Sequence, residues 1–200
     1  MTKPPLPRGW FTIPGVQTGE RDIKERVVPL APLLPYAKDA TILDLGCAEG
    51  CISKWLIDAG KASQVHGLDK HTPWIETARK LFKDYEGCEF DIMDFDDFDF
   101  DQSFLFPKYD IVLCLNVAQK LKEPKKFLLA AAAKAEKFFV YSGPEAVLQD
   151  WRSNNVPLDV IELMQPKFNL LTIARGGIHR EKGKLGVRLI FSRKKKKVRK

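Results

Sequence analysis

The sequence predicts a single doubly wound α/β domain on a mainly parallel sheet. Two observations carry that prediction. Four apolar runs of strand length occupy residues 42–45, 65–68, 109–117 and 138–141, and the segments between them repeat apolar residues at three- and four-residue steps. A third observation is the break after the first run, where Gly46-Cys47-Ala48-Glu49-Gly50 forms a small-residue turn ahead of a helical pattern. In such sheets ligands settle at the carboxyl ends of the strands, so that turn marks where to look for a site.

Taken in order, residues 1–20 are rich in Pro and Gly and read as an irregular N-terminal arm, with Trp10 and Phe11 as its bulky aromatics. Two apolar rings there either close over a cleft as a lid or cover a sheet face, and the second is the expectation. In residues 21–34 the apolar positions Ile23, Val27, Leu30 and Leu34 have helical spacing that Pro29 and Pro32 break. Ile52, Trp55, Leu56 and Ala59 predict a helix that stops at Gly60. Residues 74–82 repeat that pattern, and residues 124–137 open on Pro124 and carry four successive alanines, 130–133. No internal repeat and no second domain is expected; the domain proper is placed at residues 21–192.

Hydrophobic residues make up 44% and charged residues 30%, values of a globular protein, and no apolar run approaches the ~20 residues that cross a bilayer. With no apolar leader either, the cytoplasm is the expected compartment. The net charge of +7 is concentrated at one end: residues 193–200 hold seven basic residues and no acid, and the other 26 basic residues balance 26 acidic ones. Such a block predicts a disordered tail, read either as an arm making non-specific nucleic-acid contacts or as a solubilising end. Cys47, Cys51, Cys88 and Cys114 provide one C-x3-C pair, too little for a zinc site, so buried thiols and no metal are expected. Six aspartates between positions 91 and 101, interleaved with Phe95, Phe98 and Phe100, lack the spacing of a calcium loop and read as a solvated loop anchored by its rings.

The turn itself narrows the ligand. Twenty-five residues after Asp44, Asp69 closes the second apolar run, where an acid is placed to hold both hydroxyls of a ribose. A dinucleotide fingerprint needs glycine at the first, third and sixth turn positions, which here are Gly46, Ala48 and Cys51. Asp44 would also repel a pyrophosphate, whereas it suits a ligand carrying an ammonium or sulfonium group.

Gly46-x-Ala48-x-Gly50 after an acid-ended strand resembles motif I of the class I, Rossmann-like S-adenosylmethionine-dependent methyltransferases. The resemblance runs in order over residues 36–193. It implies a seven-stranded sheet whose third strand is 90–94 and whose C-terminal antiparallel hairpin is 168–174 with 185–191. It implies S-adenosyl-L-methionine as cofactor, with Asp44, Gly46, Cys47, Ala48 and Gly50 around its turn, Asp69 and Lys70 at the ribose, Asp94 at the adenine amino group and Asn116 at the reaction centre. Ala48 departs from the glycine usual there, at little cost if its backbone angle is unstrained.

Methyl transfer from a sulfonium is an in-line displacement, so positioning matters more than covalent chemistry. Asn116-Val117-Ala118-Gln119-Lys120-Leu121 is similar to a segment of small-molecule and some tRNA-modifying relatives in which Gln119 and Lys120 replace histidines. Asn116 and Lys120 are therefore the candidate catalytic residues, Lys120 either holding an anionic acceptor or taking a proton. His66, His71 and His179 are weaker candidates. The expected acceptor is a small molecule or RNA. The alternative is a non-catalytic nucleic-acid-binding or scaffold module that keeps the fold.

Overall fold

The computed structural model describes residues 8–97, 107–144, 160–179 and 184–195. Within the stretch predicted as an irregular arm, the described residues form two short parallel strands, β1 (Arg8–Phe11) and β2 (Thr18–Arg21), which pair Gly9 with Gly19 and Phe11 with Arg21. Helix α1 (Ile23–Val27) starts at Asp22, whose carboxylate accepts the Lys24 N–H at 2.8 Å. Pro29 and Pro32 then turn Val28–Leu33 into a 3-10 helix before the short α2 (Leu34–Ala37).

From there strands and helices alternate: β3 (Thr41–Leu45), α3 (Cys51–Asp58), β4 (Gln64–Asp69), α4 (Thr72–Leu81), β5 (Cys88–Ile92) and β6 (Tyr109–Leu115). After them come α5 (Pro124–Lys134), β7 (Ala135–Pro144), α6 (Val160–Met164), β8 (Phe168–His179) and β9 (Lys184–Arg193). The sheet order is β5-β4-β3-β6-β7-β9-β8; the first five strands are parallel and β9 runs antiparallel to both its neighbours. The seven strands and the C-terminal hairpin follow the predicted fold. The order reverses between β3 and β6, the switch point at which open α/β sheets leave a crevice.

Three boundaries differ from the sequence reading. The third strand of the main sheet ends at Ile92, so Asp94 lies in the loop beyond it. Helix α5 stops at Lys134 and passes straight into β7. The third concerns Arg193, assigned to a disordered tail at 193–200. It ends β9, and its guanidinium donates to the carbonyls of Ala132 (2.8 Å) and Ala135 and sits 4.7 Å from the Phe168 ring centroid. A cation on the last carbonyls of α5 favours the helix terminus, so this arginine belongs to the fold. The rest of that segment from residue 196 lies outside the described residues.

The sheet is covered on both faces, as the period of two along each strand requires. One face packs Ile42, Ile111, Leu113, Phe138, Val140 and Ile190 against Leu30, Leu33, Ile52 and Leu56; the other packs Leu43, Val112, Phe139, Tyr141 and Phe191 against Phe127, Leu128 and Met164. Phe95 anchors the aspartate-rich loop, its ring 5.1 Å from that of Phe127, while Phe98 and Phe100 lie outside the described residues.

Candidate active site

The turn after β3 takes its shape from three left-handed residues, Gly46 (φ 76°), Ala48 (φ 48°) and Gly50 (φ 73°). Ala48 therefore does sit at a strained angle, costing roughly 1–2 kcal/mol in a residue with a Cβ. Gly46 is needed for a second reason: a Cβ there would lie 2.1 Å from Val117 Cγ2, in the loop that follows β6. The first N–H groups of the turn are spent on the end of β4. Gly46 and Cys47 both donate to Leu68 O, at 2.7 and 3.1 Å, and Ala48 donates to Asp69 Oδ2 at 3.0 Å. What these three residues offer a ligand is close approach rather than free donors.

Asp69 ends β4 with 8% of its surface exposed. Its Oδ2 faces the Ala48 N–H and its Oδ1 accepts the His71 N–H at 2.9 Å, which fixes the carboxylate and leaves lone pairs on both oxygens. Asp44, 2% exposed, accepts the Ser53 hydroxyl at 2.6 Å. Burial pushes its carboxyl up to about 6, the Ser53 hydrogen bond opposing and the Asp69 charge adding to the rise. Burial likewise raises the Cys47 thiol well above its ordinary range and Cys51 and Cys114 to about 12, so these are protonated, unreactive thiols.

Glu49 is the residue that the sequence reading passed over. Fully buried, its carboxylate accepts the backbone N–H groups of Trp10 and Phe11 and, at 2.8 Å, the side chain of Gln17. The N-terminal strands are thereby tied to the turn. Phe11 is buried and Trp10 reaches the cleft, its ring 5.9 Å from Trp74, which in turn lies 4.2 Å from the ring of His71. Trp10 and Phe11 thus line the cleft while Phe11 joins, and Trp10 packs against, the core on one sheet face.

That cleft, partly open to solvent, lies over the switch point. It gathers Asp44, Gly46, Cys47, Ala48, Asp69, Asn116 and Lys120 of the predicted residues. Asn116, left-handed at φ 61°, donates its N–H to Ser142 O at 2.8 Å and its amide to Ser142 Oγ at 3.4 Å. Lys120 ends the 3-10 turn Ala118–Lys120 with its ammonium 5.7 Å from the Trp10 ring centroid. Three predicted residues stand away from the cleft wall. Gly50 is the N-cap of α3, where a Cβ would come within 2.9 Å of the Phe82 and Phe90 rings. Lys70 and Asp94 pair with each other at 3.3 Å near the surface.

His66 is held in the sheet by Tyr109 Oη at 2.8 Å and Asp91 Oδ2 at 3.1 Å, away from the cleft, and the side chain of His179 lies outside the described residues. Arg26 and Arg188 join the lining from α1 and β9 without having been predicted. Arg188 carried a signal: it is an arginine inside an otherwise apolar strand, Leu189-Ile190-Phe191 following it. Among the described residues no helix is long and apolar enough to cross a membrane, and no cluster of three His, Cys, Asp or Glu side chains could hold a metal.

Residues 43–135 match a family model described as a methyltransferase domain. Over 80 residues the chain is 31% identical to "Putative methyltransferase 235L" of Invertebrate iridescent virus 6, a match that takes in 40% of this chain and 27% of that protein. Among solved structures, the N-methyltransferase NodS from Bradyrhizobium japonicum WM9 superposes with a TM-score of 0.67 at 14% identity, covering 86% of this chain and 97% of that one. Its complex with S-adenosyl-L-homocysteine gives the same TM-score at 15% identity, covering 86% and 87%. An S-adenosylmethionine-dependent methyltransferase from Mesorhizobium loti gives 0.63 at 16% identity, over 82% of this chain and 95% of that one.

Proposed function

We propose that this chain is a class I, Rossmann-like S-adenosylmethionine-dependent methyltransferase, a reading supported by the methyltransferase-domain match over residues 43–135 and by the fold it shares with such enzymes. Bound in the cleft, S-adenosylmethionine would supply an electrophilic methyl carbon for in-line attack by an acceptor lone pair, with S-adenosylhomocysteine as the leaving group. Asp69 receives the ribose hydroxyls. Asp44 provides the negative charge near the methionine ammonium and the sulfonium. Gly46, Cys47 and Ala48 give the clearance for the cofactor to lie against the backbone. Asn116 and Lys120, from the strand-end loop on the far side of the switch point, flank the acceptor.

Lys70 and Asp94 serve the outer, adenine end. The register Asp69↔Ile92 and the hydrogen bond from Met93 N to Asp69 O set the β5 loop beside Asp69, which favours that assignment. The acceptor is a small molecule, a reading favoured by the wall that Trp10 and Phe11 raise on one side of the cleft. RNA is the second reading, and its support is the basic C-terminal segment. The cytoplasm remains the proposed compartment, supported by four free cysteines.

The observation that carries these roles is the Asp69 carboxylate, oriented by two backbone N–H groups at the mouth of the switch point. A scaffold that had given up its ligand would have no use for it. Calorimetric titration with S-adenosylhomocysteine tests this: micromolar binding by the wild type that Asp69→Ala loses supports the assignment. Binding that Asp69→Ala retains overturns it.

A further inference from the structure

Arg188 lies in β9 opposite Ser142 of β7, near the carboxyl end of β7, and only 6% of it is exposed. Its Nε is buried with no hydrogen-bond partner, and among the described residues no carboxylate stands within ion-pair distance of its guanidinium or of that of Arg26. Both line the cleft. Burial, and after it the like charge of Arg26, pushes Arg188 down to about 10; burial and then Arg21 also lower Arg26. Proteins rarely keep a buried, unpaired charge beside another of the same sign, because each has lost its water and gained nothing in return. An oxyanion between them would restore both losses.

Resting on the methyltransferase reading of this cleft, we propose that the acceptor carries a carboxylate or phosphate group that Arg188 and Arg26 bind, Lys120 also lining the cleft. A guanidinium presents a planar fork of N–H donors that fits either oxyanion. Position argues that this anion belongs to the acceptor and not to the cofactor's own carboxylate. In the strand order β9 is separated from β3 by β6 and β7, about 14 Å at the spacing of paired strands, so Arg188 is rooted beyond the Asn116 loop from Asp44 and Asp69. The cleft then has an acidic half that suits a cationic donor and a basic half that suits an anionic acceptor.

The test uses the full chain saturated with S-adenosylhomocysteine, titrated calorimetrically with sodium malonate and, separately, inorganic phosphate in low-chloride buffer. We expect saturable binding of at least one probe, weakened about tenfold or more in Arg188→Gln and Arg26→Gln and partly kept in Arg188→Lys. Malonate alone points to a carboxylate on the acceptor, phosphate alone to a phosphate. Arg188→Gln removes a buried unpaired charge, so it should fold at least as stably as the wild type and bind S-adenosylhomocysteine within about twofold. Anion binding that is absent in the wild type, or that both glutamine variants keep at the wild-type affinity, overturns the inference while leaving the methyltransferase reading intact. A tenfold loss of S-adenosylhomocysteine affinity in Arg188→Gln overturns it by assigning the pair to the cofactor. A wild-type chain that binds no S-adenosylhomocysteine overturns the functional reading and this inference together.

Discussion

The two sides of the cleft treat their charges differently. On the β3–β4 side, Asp44 is more deeply buried than Arg188 and Asp69 almost as deeply, yet each is held by donors of its own surroundings: Ser53 for one, the Ala48 and His71 N–H groups for the other. On the β9 side the Arg188 Nε has no such partner, and Arg26, a like charge, lines the same cleft. The contrast separates a site preorganised before its ligand arrives from one completed by its ligand. Preorganised acceptors hold their geometry without the ligand, whereas unpaired donors gain most when it comes.

The largest effect expected from breaking the preorganised side is in Asp69→Ala. Losing a charge-assisted contact to a ribose costs about 3 kcal/mol, roughly a hundredfold in affinity for S-adenosylhomocysteine, read by calorimetry. Glu49→Ala comes next, since it strands the Trp10 and Phe11 N–H groups and leaves the Gln17 amide only its bond to Phe11 O. Denaturant unfolding should show a loss of about 2 kcal/mol, and hydrogen exchange at Trp10 and Phe11 should accelerate while the exchange of β3 amides stays slower than theirs.

Asp44 makes the contrast pH-dependent. Its carboxyl titrates near 6 in the fold and near 3.8 when unfolded, so the folded chain takes up a proton between those values. The free protein therefore loses stability as pH rises from about 4 to 6, while affinity for a cationic ligand increases over the same window as the charge develops. Titrations at pH 5 and pH 7.5 should differ by up to about tenfold, with the difference abolished in Asp44→Asn. The smallest effect is Ala48→Gly. Relief of the left-handed strain, offset by the greater freedom of glycine in the unfolded chain, leaves a stabilisation of about 1 kcal/mol or less on thermal unfolding.

The acidic side was legible in the sequence because each of its residues ends a strand or sits in the turn that follows. Asp44 and Asp69 close apolar runs, and Gly46 and Gly50 punctuate a break that only small residues permit. The basic side was not legible in that way. Lys120 follows a recognisable strand end, but Arg26 reads as one polar position of a broken helix, and Arg188 as an isolated charge in a strand. The N-terminal strands escaped notice because their partner is each other and their anchor, Glu49, is nearly forty residues away in the chain. Ala48 shows the reverse: its identity was plain and its strain was not, since φ is set by the closure of the turn onto Leu68 O and Asp69.

What the sequence by itself determined is therefore local and periodic: the alternation of strands and helices, the turn after the first main strand, the acids that end two strands, and the concentration of positive charge at the C-terminus. Only the tertiary structure decided which side chains meet over the switch point. Period and punctuation are properties of neighbouring residues, whereas the meeting of Trp10 with Lys120, or of Arg26 with Arg188, depends on strand order and register, which set contacts between residues far apart in the chain.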